Sequence, residues 1–377
     1  MKKIGLIINP IAGLGGPAGM KGTDRALCLE RAKELGIEPQ APARVLQVLS
    51  LISRTGHADF ELVCAPGSMG ADVAGQAGYS CTVCGELADK ETTPADTVRI
   101  ACQMEKEGVD LLVFGGGDGT ARDVCSAVGD RILVLGVPCG VKMHSAVFAV
   151  NPAAAAQTIL AVLSEKSMAD SLQEVMDLDE QAYVDGILSA KLYGYMRVPY
   201  FRKLIQGTKG GSSVPGDMLH GLAEDVCENM ERNPDTLYLI GAGTTTMAIK
   251  EMLKIEGTLL GVDVVKGGQL IAKDVSAPEL LKLTEGSKAK IVISPIGGQG
   301  FIFGRGNQQF SAPLIERVGK ANIIVVCPVD KITALNSAPL LVDTGSETTN
   351  ALLCGYIKLT TNYQSYTMYR VSDGING

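Results

Sequence analysis

Residues 111–124 read LLVFGGGDGTARDV: an apolar run, three glycines, an aspartate, a fourth glycine, a threonine, and then residues compatible with a helix. An apolar strand that ends in glycines and feeds a helix is the βα turn of an open parallel sheet. There, bare backbone N–H groups at the helix N-terminus favour a phosphate. A purely local role stands beside that one, with Asp118 closing a tight turn and Thr120 and Asp123 forming a capping box. The local role leaves the three glycines before the aspartate unexplained. Gly115, Gly116, Gly117, Asp118, Gly119 and Thr120 are therefore read as a phosphate-handling turn. No G-x-x-x-x-G-K-[ST] occurs in the chain, which excludes a P-loop NTPase.

The flanking segments fit the same turn. Ile4–Ile8, Phe60–Cys64, Ser80–Cys84, Asp110–Phe114 and Ile132–Leu135 have strand character. They alternate with helix-like stretches at Asp24–Leu35, Pro42–Ser53, Pro94–Glu107 and Thr120–Val128. This alternation predicts a parallel sheet covered on both faces, a Rossmann-like α/β nucleotide-binding domain over residues 1–150. From Asp170 the texture changes: residues 170–199 alternate about Asp185-Gly186, a dipeptide that favours a hairpin. A glycine- and serine-rich linker, GTKGGSSVPG, leads into a helix from Pro215 to Arg232, and strands follow in TLYLI, GVDVV and KIVIS. A second domain is expected over 151–345. YIKLTTNYQSYTMYRV predicts two strands within 346–377, whose return to the N-terminal domain is left open.

Composition narrows the function classes. At 377 residues the chain exceeds what one core usually serves, which points to two domains. The 34 basic residues against 41 acidic give net −7, and no Lys/Arg cluster exists to track a phosphate backbone, so nucleic acid is excluded as a partner. The opening MKKIGLIINP has the charged start of a signal peptide, but Asn9 and Pro10 end its apolar run too early. Ala146–Leu163 is uncharged, yet Asn151, Pro152 and Gln157 interrupt it; a buried helix after Pro152 is expected, and no membrane partner. Ten cysteines without framework spacing predict a reduced, cytoplasmic protein. Cys81-Thr-Val-Cys84 lacks the second pair that zinc needs, so no metal site is expected in the chain itself.

Four further stretches carry candidate contacts. NPIAGLGG puts Asn9 and Gly13 in a second glycine-rich strand end; its formal match to G-x-G-x-x-A is spoiled by Pro17 and by a late helix start. GVPCGVKMHS offers Lys142 to a phosphate and His144 to a nucleotide, with a structural role as the alternative for the histidine. GAGTTT places Gly243, Thr244, Thr245 and Thr246 at a helix start, as caps or as ribose and phosphate contacts. SPIGGQGFIFGRGNQQ is too glycine-dense for a mere turn and holds out Arg305 and Asn307 as polar hands.

Taken in order, NPIAGLGG, FGGGDGTARDV, GVPCGVKMHSAVFAVNP, LYGYMRVP, GAGTTTMAI, GTLLGVDVV, SPIGGQGFIFGRGNQQ and PLLVDTG resemble the ATP-NAD kinase-like family of predicted ATP- or polyphosphate-dependent NAD kinases, with its relative, acetoin-catabolism protein X. GGDGT alone is shared more widely, with diacylglycerol and sphingosine kinases and phosphofructokinases. The resemblance implies an N-terminal α/β domain, a C-terminal β-rich domain that holds substrate or dinucleotide, and a nucleotide site between them. Asp118 falls on the catalytic aspartate and Gly243–Thr246 near the segment that holds the dinucleotide. It further implies ATP or polyphosphate as donor, Mg²⁺ on the donor phosphates, NAD(H) as the substrate phosphorylated at its adenosine 2′-hydroxyl, and a homo-oligomer, in the first instance a dimer. The family's Asn-Glu or Asn-Asp pair is missing between Asp170 and Pro199. Two alternatives therefore stay open: a kinase of another small hydroxyl-bearing metabolite or lipid, and a non-catalytic dinucleotide-binding regulator of acetoin-type catabolism. If NAD binds, the replacement contacts are expected from Gln299, Arg305, Asn307 and Gln308.

Overall fold

The computed structural model describes the chain outside residues 19–24, 57–59, 88, 90–91, 141–142, 165–168, 179–189, 200–215, 297–299 and 375–377. The chain forms two compact units, Met1–Gly13 with Pro39–Thr208, and Leu14–Glu38 with Lys209–Gly377.

The helix α1 (Arg25–Glu34) belongs to the second unit. The first unit runs β1 (Lys2–Ile8), α2 (Gln40–Arg54), β2 (Phe60–Cys64), α3 (Ala71–Gln76), β3 (Thr82–Val83), α4 (Pro94–Lys106), β4 (Leu111–Gly116), α5 (Asp118–Val128), β5 (Leu133–Pro138), α6 (Pro152–Ser164), β6 (Asp170–Leu178) and β7 (Ala190–Pro199). Its sheet has the order β3-β2-β1-β4-β5-β7-β6, parallel from β3 through β7, with β6 antiparallel at the edge. β4 lies between β1 and β5 with all six residues buried, which is why LLVFGG reads as a continuous apolar run rather than an alternation. The two faces of β1 part cleanly. Ile4 and Leu6 pack with Val45 and Val48 of α2 and Ile159 of α6, while Gly5 stands under Met104 of α4. α4 begins with Pro94 and the capping box that T-P-A-D encodes, Asp96 accepting from the amide (2.9 Å) and hydroxyl (2.8 Å) of Thr93.

The expected boundary at residue 150 does not match this division. β7 pairs with β5, so α6, β6 and β7 complete the first sheet instead of opening a second domain. Residues 14–38 leave the first unit: the Ala277 amide donates to the Pro17 carbonyl at 3.1 Å, and Arg31 lies 3.6 Å from Glu279. The Asp185-Gly186 turn lies outside the described residues, although β6 and β7 pair antiparallel as expected.

The second unit continues with α7 (Gly216–Arg232), β8 (Leu237–Ile240), α8 (Thr244–Met252), β9 (Asp263–Lys266), β10 (Gln269–Ala272), α9 (Ala277–Leu283), β11 (Ala289–Ile293), β12 (Phe301–Phe303), α10 (Ala312–Val318), β13 (Ile323–Val326), α11 (Val329–Ala334), β14 (Leu340–Val342), α12 (Glu347–Leu353), β15 (Gly355–Asn362) and β16 (Ser365–Ser372). Its sheet order is β10-β9-β8-β11-β13-β15-β16-β14-β12, with β8, β11, β13 and β15 mutually parallel. Tyr238 and Ile240 face Leu222, Val226 and Met230 of α7, and the alternate residue Leu239 joins Leu314, Ile315 and Val318 of α10 on the other side. β15 and β16 pair with each other inside this sheet, between β13 and β14; the open question of a return to the first sheet is settled against it. No described helix is long and apolar enough to cross a membrane, and the described cysteines are free.

Candidate active site

Gly117 is the N-cap of α5, in extended conformation, and Asp118 is the first helical residue. Thr120 thus lies inside the first turn, and the expected Thr120–Asp123 capping box does not form. The Thr120 hydroxyl instead accepts from Asn9 Nδ2 (3.1 Å). Asp123 lies 3.7 Å from Arg122, and burial raises its pKa above the ordinary carboxylate value despite that cation. The Asp118 side chain, 5% exposed, is held from outside its helix. Its Oδ2 accepts from the His144 amide at 2.6 Å and its Oδ1 from the Ser145 amide at 3.0 Å, with His144 Nδ1 a further 3.3 Å from Oδ2. The amides are themselves fixed. Ser145 Oγ donates to the Met176 carbonyl (2.8 Å) and accepts from its amide (3.0 Å), and the Ala146 amide donates to the Glu174 carbonyl (2.9 Å). β6 therefore anchors the segment that aims the carboxylate.

The four glycines of the motif serve two different ends. A Cβ on Gly115 would meet Val45 Cγ2 at 2.6 Å, and one on Gly116 would meet Thr120 Oγ1 at 2.4 Å and Cβ at 2.5 Å. These two are needed so that β4 can pack against α2 and α5. Gly117 and Gly119 are different: the nearest atoms to a Cβ there are Gly140 Cα at 3.7 Å and Asp177 Oδ2 at 3.8 Å. A Cβ at either would make only an ordinary contact, so packing does not require these two half-buried glycines.

The loop after β1 also has its polar groups engaged. Asn9 receives the Ile11 amide on Oδ1 (3.3 Å), gives Nδ2 to Thr120, and its own amide bonds the Gly115 carbonyl (2.9 Å). It is a clamp between loop and helix rather than a free hand for nucleotide. Gly13 has φ +88° and a Cβ there would lie 2.7 Å from the Cys139 carbonyl and 2.6 Å from Gln40 Cβ, so it too is a packing requirement. Lys142 lies outside the described residues. Asn9, Asp118, Thr120 and His144 thus come together in the first unit, and the sequence reading missed Ser145, because its contribution to Asp118 is a backbone amide.

In the second unit, Gly243 is the N-cap of α8 at φ +125°, its amide donating to the Leu259 carbonyl (2.8 Å). The Thr246 hydroxyl bonds the Gly241 (2.7 Å) and Gly243 (2.9 Å) carbonyls, which makes it a staple of the turn and not a ligand contact. Thr244 is exposed; Thr245 is buried and accepts from Lys331 Nζ at 3.0 Å. Lys331 escaped the sequence reading, since a single lysine after CPVD carries no motif. Burial holds its pKa below the ordinary lysine value. The expected hands of the 294–309 loop turn inward: Asn307 accepts from the Gly304 amide (3.2 Å) and donates to the Ile302 carbonyl (2.7 Å), and Arg305, 3% exposed, stacks 4.8 Å over Phe301. Neither presents its side chain as an adenosine contact.

Among the described residues no group of three or more His, Cys, Asp and Glu side chains could hold a metal ion. A groove of about 390 Å³ with Lys288, Lys290 and Arg317 in its lining sits at the start of β11, at the opposite end of that strand from the glycine loop.

Two family models match the chain, the ATP-NAD kinase N-terminal domain over residues 4–167 and the ATP-NAD kinase C-terminal domain over residues 234–371. No curated protein matches it. A solved structure described as a conserved domain protein from Vibrio cholerae O1 biovar El Tor str. N16961 is similar at 13% identity, covering 96% of this chain and 80% of that one. Its TM-score of 0.24 carries no argument.

Proposed function

The chain belongs to the ATP-NAD kinase family, and from that premise we propose that it transfers a phosphoryl group from ATP or polyphosphate to the adenosine 2′-hydroxyl of NAD(H), giving NADP(H). The observation that carries the reading is the Asp118 carboxylate, nearly buried at the end of a central parallel strand and aimed by two amides from another loop. Ligands of open α/β sheets gather at the carboxyl ends of their strands. In-line phosphoryl transfer asks little covalent chemistry of a protein; it asks for positioning and for neutralised charge.

Asp118 takes the proton of the acceptor hydroxyl as its oxygen attacks the terminal phosphorus, and ADP, or the polyphosphate chain one unit shorter, is the leaving group. The Mg²⁺ ion belongs to the donor as substrate and travels on its phosphates. The backbone at Gly117 and Gly119, whose glycines packing does not require, receives phosphate oxygens with the α5 N-terminus. His144 borders the same carboxylate and is the side chain suited to touch the nucleotide there.

A specific observation favours a second reading. Residues 170–199 contain no asparagine to grip an adenosine, and Asn307 is committed to its own loop. A kinase of another small hydroxyl compound is thus the alternative. Incubating the purified protein with Mg-ATP or Mg-polyphosphate and a panel of NAD, NADH, diacylglycerol and sugars, with products read by mass, decides between them. Phosphorylated NAD or NADH alone upholds the first reading, and another phosphorylated product replaces it.

A further inference from the structure

Lys331 stands just past β13, and its ammonium spends its three hydrogens on Thr245 Oγ1 (3.0 Å), Ser294 Oγ (3.0 Å) and the Pro295 carbonyl (3.3 Å). Those partners follow β8 and β11, and β11 lies between β8 and β13 in the parallel part of the second sheet. The cluster therefore occupies the carboxyl-end edge of three adjacent parallel strands, the edge at which such sheets take ligands.

Every one of the three partners is neutral. Among the described residues no carboxylate pairs with Lys331; Asp330 beside it is exposed, and only the Cys327 thiol offsets the burial that lowers the lysine pKa. A half-buried cation without an anion is an electrostatic cost that a bound anion removes.

The hydroxyls add a second, separate argument. Thr245 is 1% exposed and Ser294 4%. Each accepts from Lys331, and neither hydroxyl hydrogen has an acceptor among the described residues. One net positive charge and two hydroxyl donors without acceptors match a ligand that only accepts hydrogen bonds.

We propose that Lys331, Thr245 and Ser294 form an oxyanion subsite in the second unit that takes a phosphate or pyrophosphate group. It rests on the phosphoryl-transfer reading only in naming a nucleotide as the carrier of that group. Two nucleotides could bring the same chemistry, the dinucleotide through its pyrophosphate and ATP through its triphosphate.

The test is calorimetric titration of the full chain with sodium pyrophosphate at fixed ionic strength, comparing the parent with Lys331→Met and Lys331→Arg. Affinity falls by at least about tenfold in Lys331→Met, the loss of one charge-assisted contact, and by less in Lys331→Arg. Parallel titrations with ATP and NAD identify the carrier as the one that weakens with Lys331→Met. Equal pyrophosphate affinity in parent and Lys331→Met, or no binding to the folded parent, overturns the subsite; loss for pyrophosphate with ATP and NAD unaffected overturns its nucleotide role. Because Lys331→Met can fail to fold, the parent is also acylated at lysine with and without pyrophosphate and read by peptide mass. Protection of Lys331 is expected, and equal labelling overturns the proposal. No arm reads phosphoryl transfer, so a protein that phosphorylates nothing still tests the subsite.

Discussion

Asp118→Asn is the obvious substitution for a catalytic aspartate, and in this fold it is not a silent one. Both carboxylate oxygens accept from backbone amides, His144 at 2.6 Å and Ser145 at 3.0 Å, and the side chain is 5% exposed. An asparagine has one acceptor oxygen and one NH₂. Whichever way the amide turns, the NH₂ faces a backbone N–H, so one buried donor loses its partner. An unsatisfied buried group costs about 1–3 kcal/mol. For a unit of this size that lowers Tm by roughly 2–12 °C. Turnover falls as well, by at least about 10²-fold if Asp118 is the general base. Thermal unfolding followed by circular dichroism, together with turnover under saturating Mg-ATP and acceptor at a temperature where both proteins are folded, separates the two effects. An unchanged Tm would refute the two-amide clamp, and full turnover in the folded variant would refute the role as base.

Gly116→Ala should destabilise by about 1–3 kcal/mol in urea, because its Cβ would sit 2.4–2.5 Å from Thr120, whereas Gly119→Ala, with 3.8 Å of clearance, should keep stability but weaken nucleotide binding in calorimetry. Lys250 and Asp263 form an ion pair at 2.7 Å with both side chains 0% exposed; Lys250→Met leaves the carboxylate its hydrogen bonds from Thr258 and Asp274 but no cation, and should cost about 3–5 kcal/mol of unfolding free energy in urea titrations. Glu279 caps α9 through the Ser276 hydroxyl and amide, which hold its pKa below the ordinary 4.5. Because the folded value is the lower one, its contribution is present above about pH 4.5 and is lost as pH falls through the folded value, so the difference in urea midpoint between the parent and Glu279→Gln should close on acidification.

The first sheet was legible because its strands are buried on both faces and its helices carry start signals. Phe60–Cys64 and the helix starting at Pro94 were read in place for those reasons. The domain boundary was not legible, because it depends on a pairing 64 residues apart, Leu133 with Arg197, which no local pattern reports. α3 was missed since ADVAGQ is short and polar in part. At the site, the motif announced Asp118 but not what holds it. Its partners are amides 26 and 27 residues downstream, and any residue but proline supplies an amide. The packing demand on Gly115 and Gly116 was hidden for a related cause: a glycine required by a neighbouring side chain looks in sequence like one required by a ligand.

The clamp on Asp118 also fixes which of its oxygens can do chemistry. A carboxylate oxygen accepts along two directions. On Oδ2 one is taken by the His144 amide, and His144 Nδ1 stands at 3.3 Å to take the other when that nitrogen carries the hydrogen. On Oδ1, among the described residues, only the Ser145 amide is engaged. Oδ1 therefore keeps a vacant direction under either tautomer of the histidine, whereas Oδ2 keeps one under a single tautomer. In the proposed reaction the acceptor hydroxyl gives its proton to Oδ1, and His144 controls whether the second oxygen competes for it.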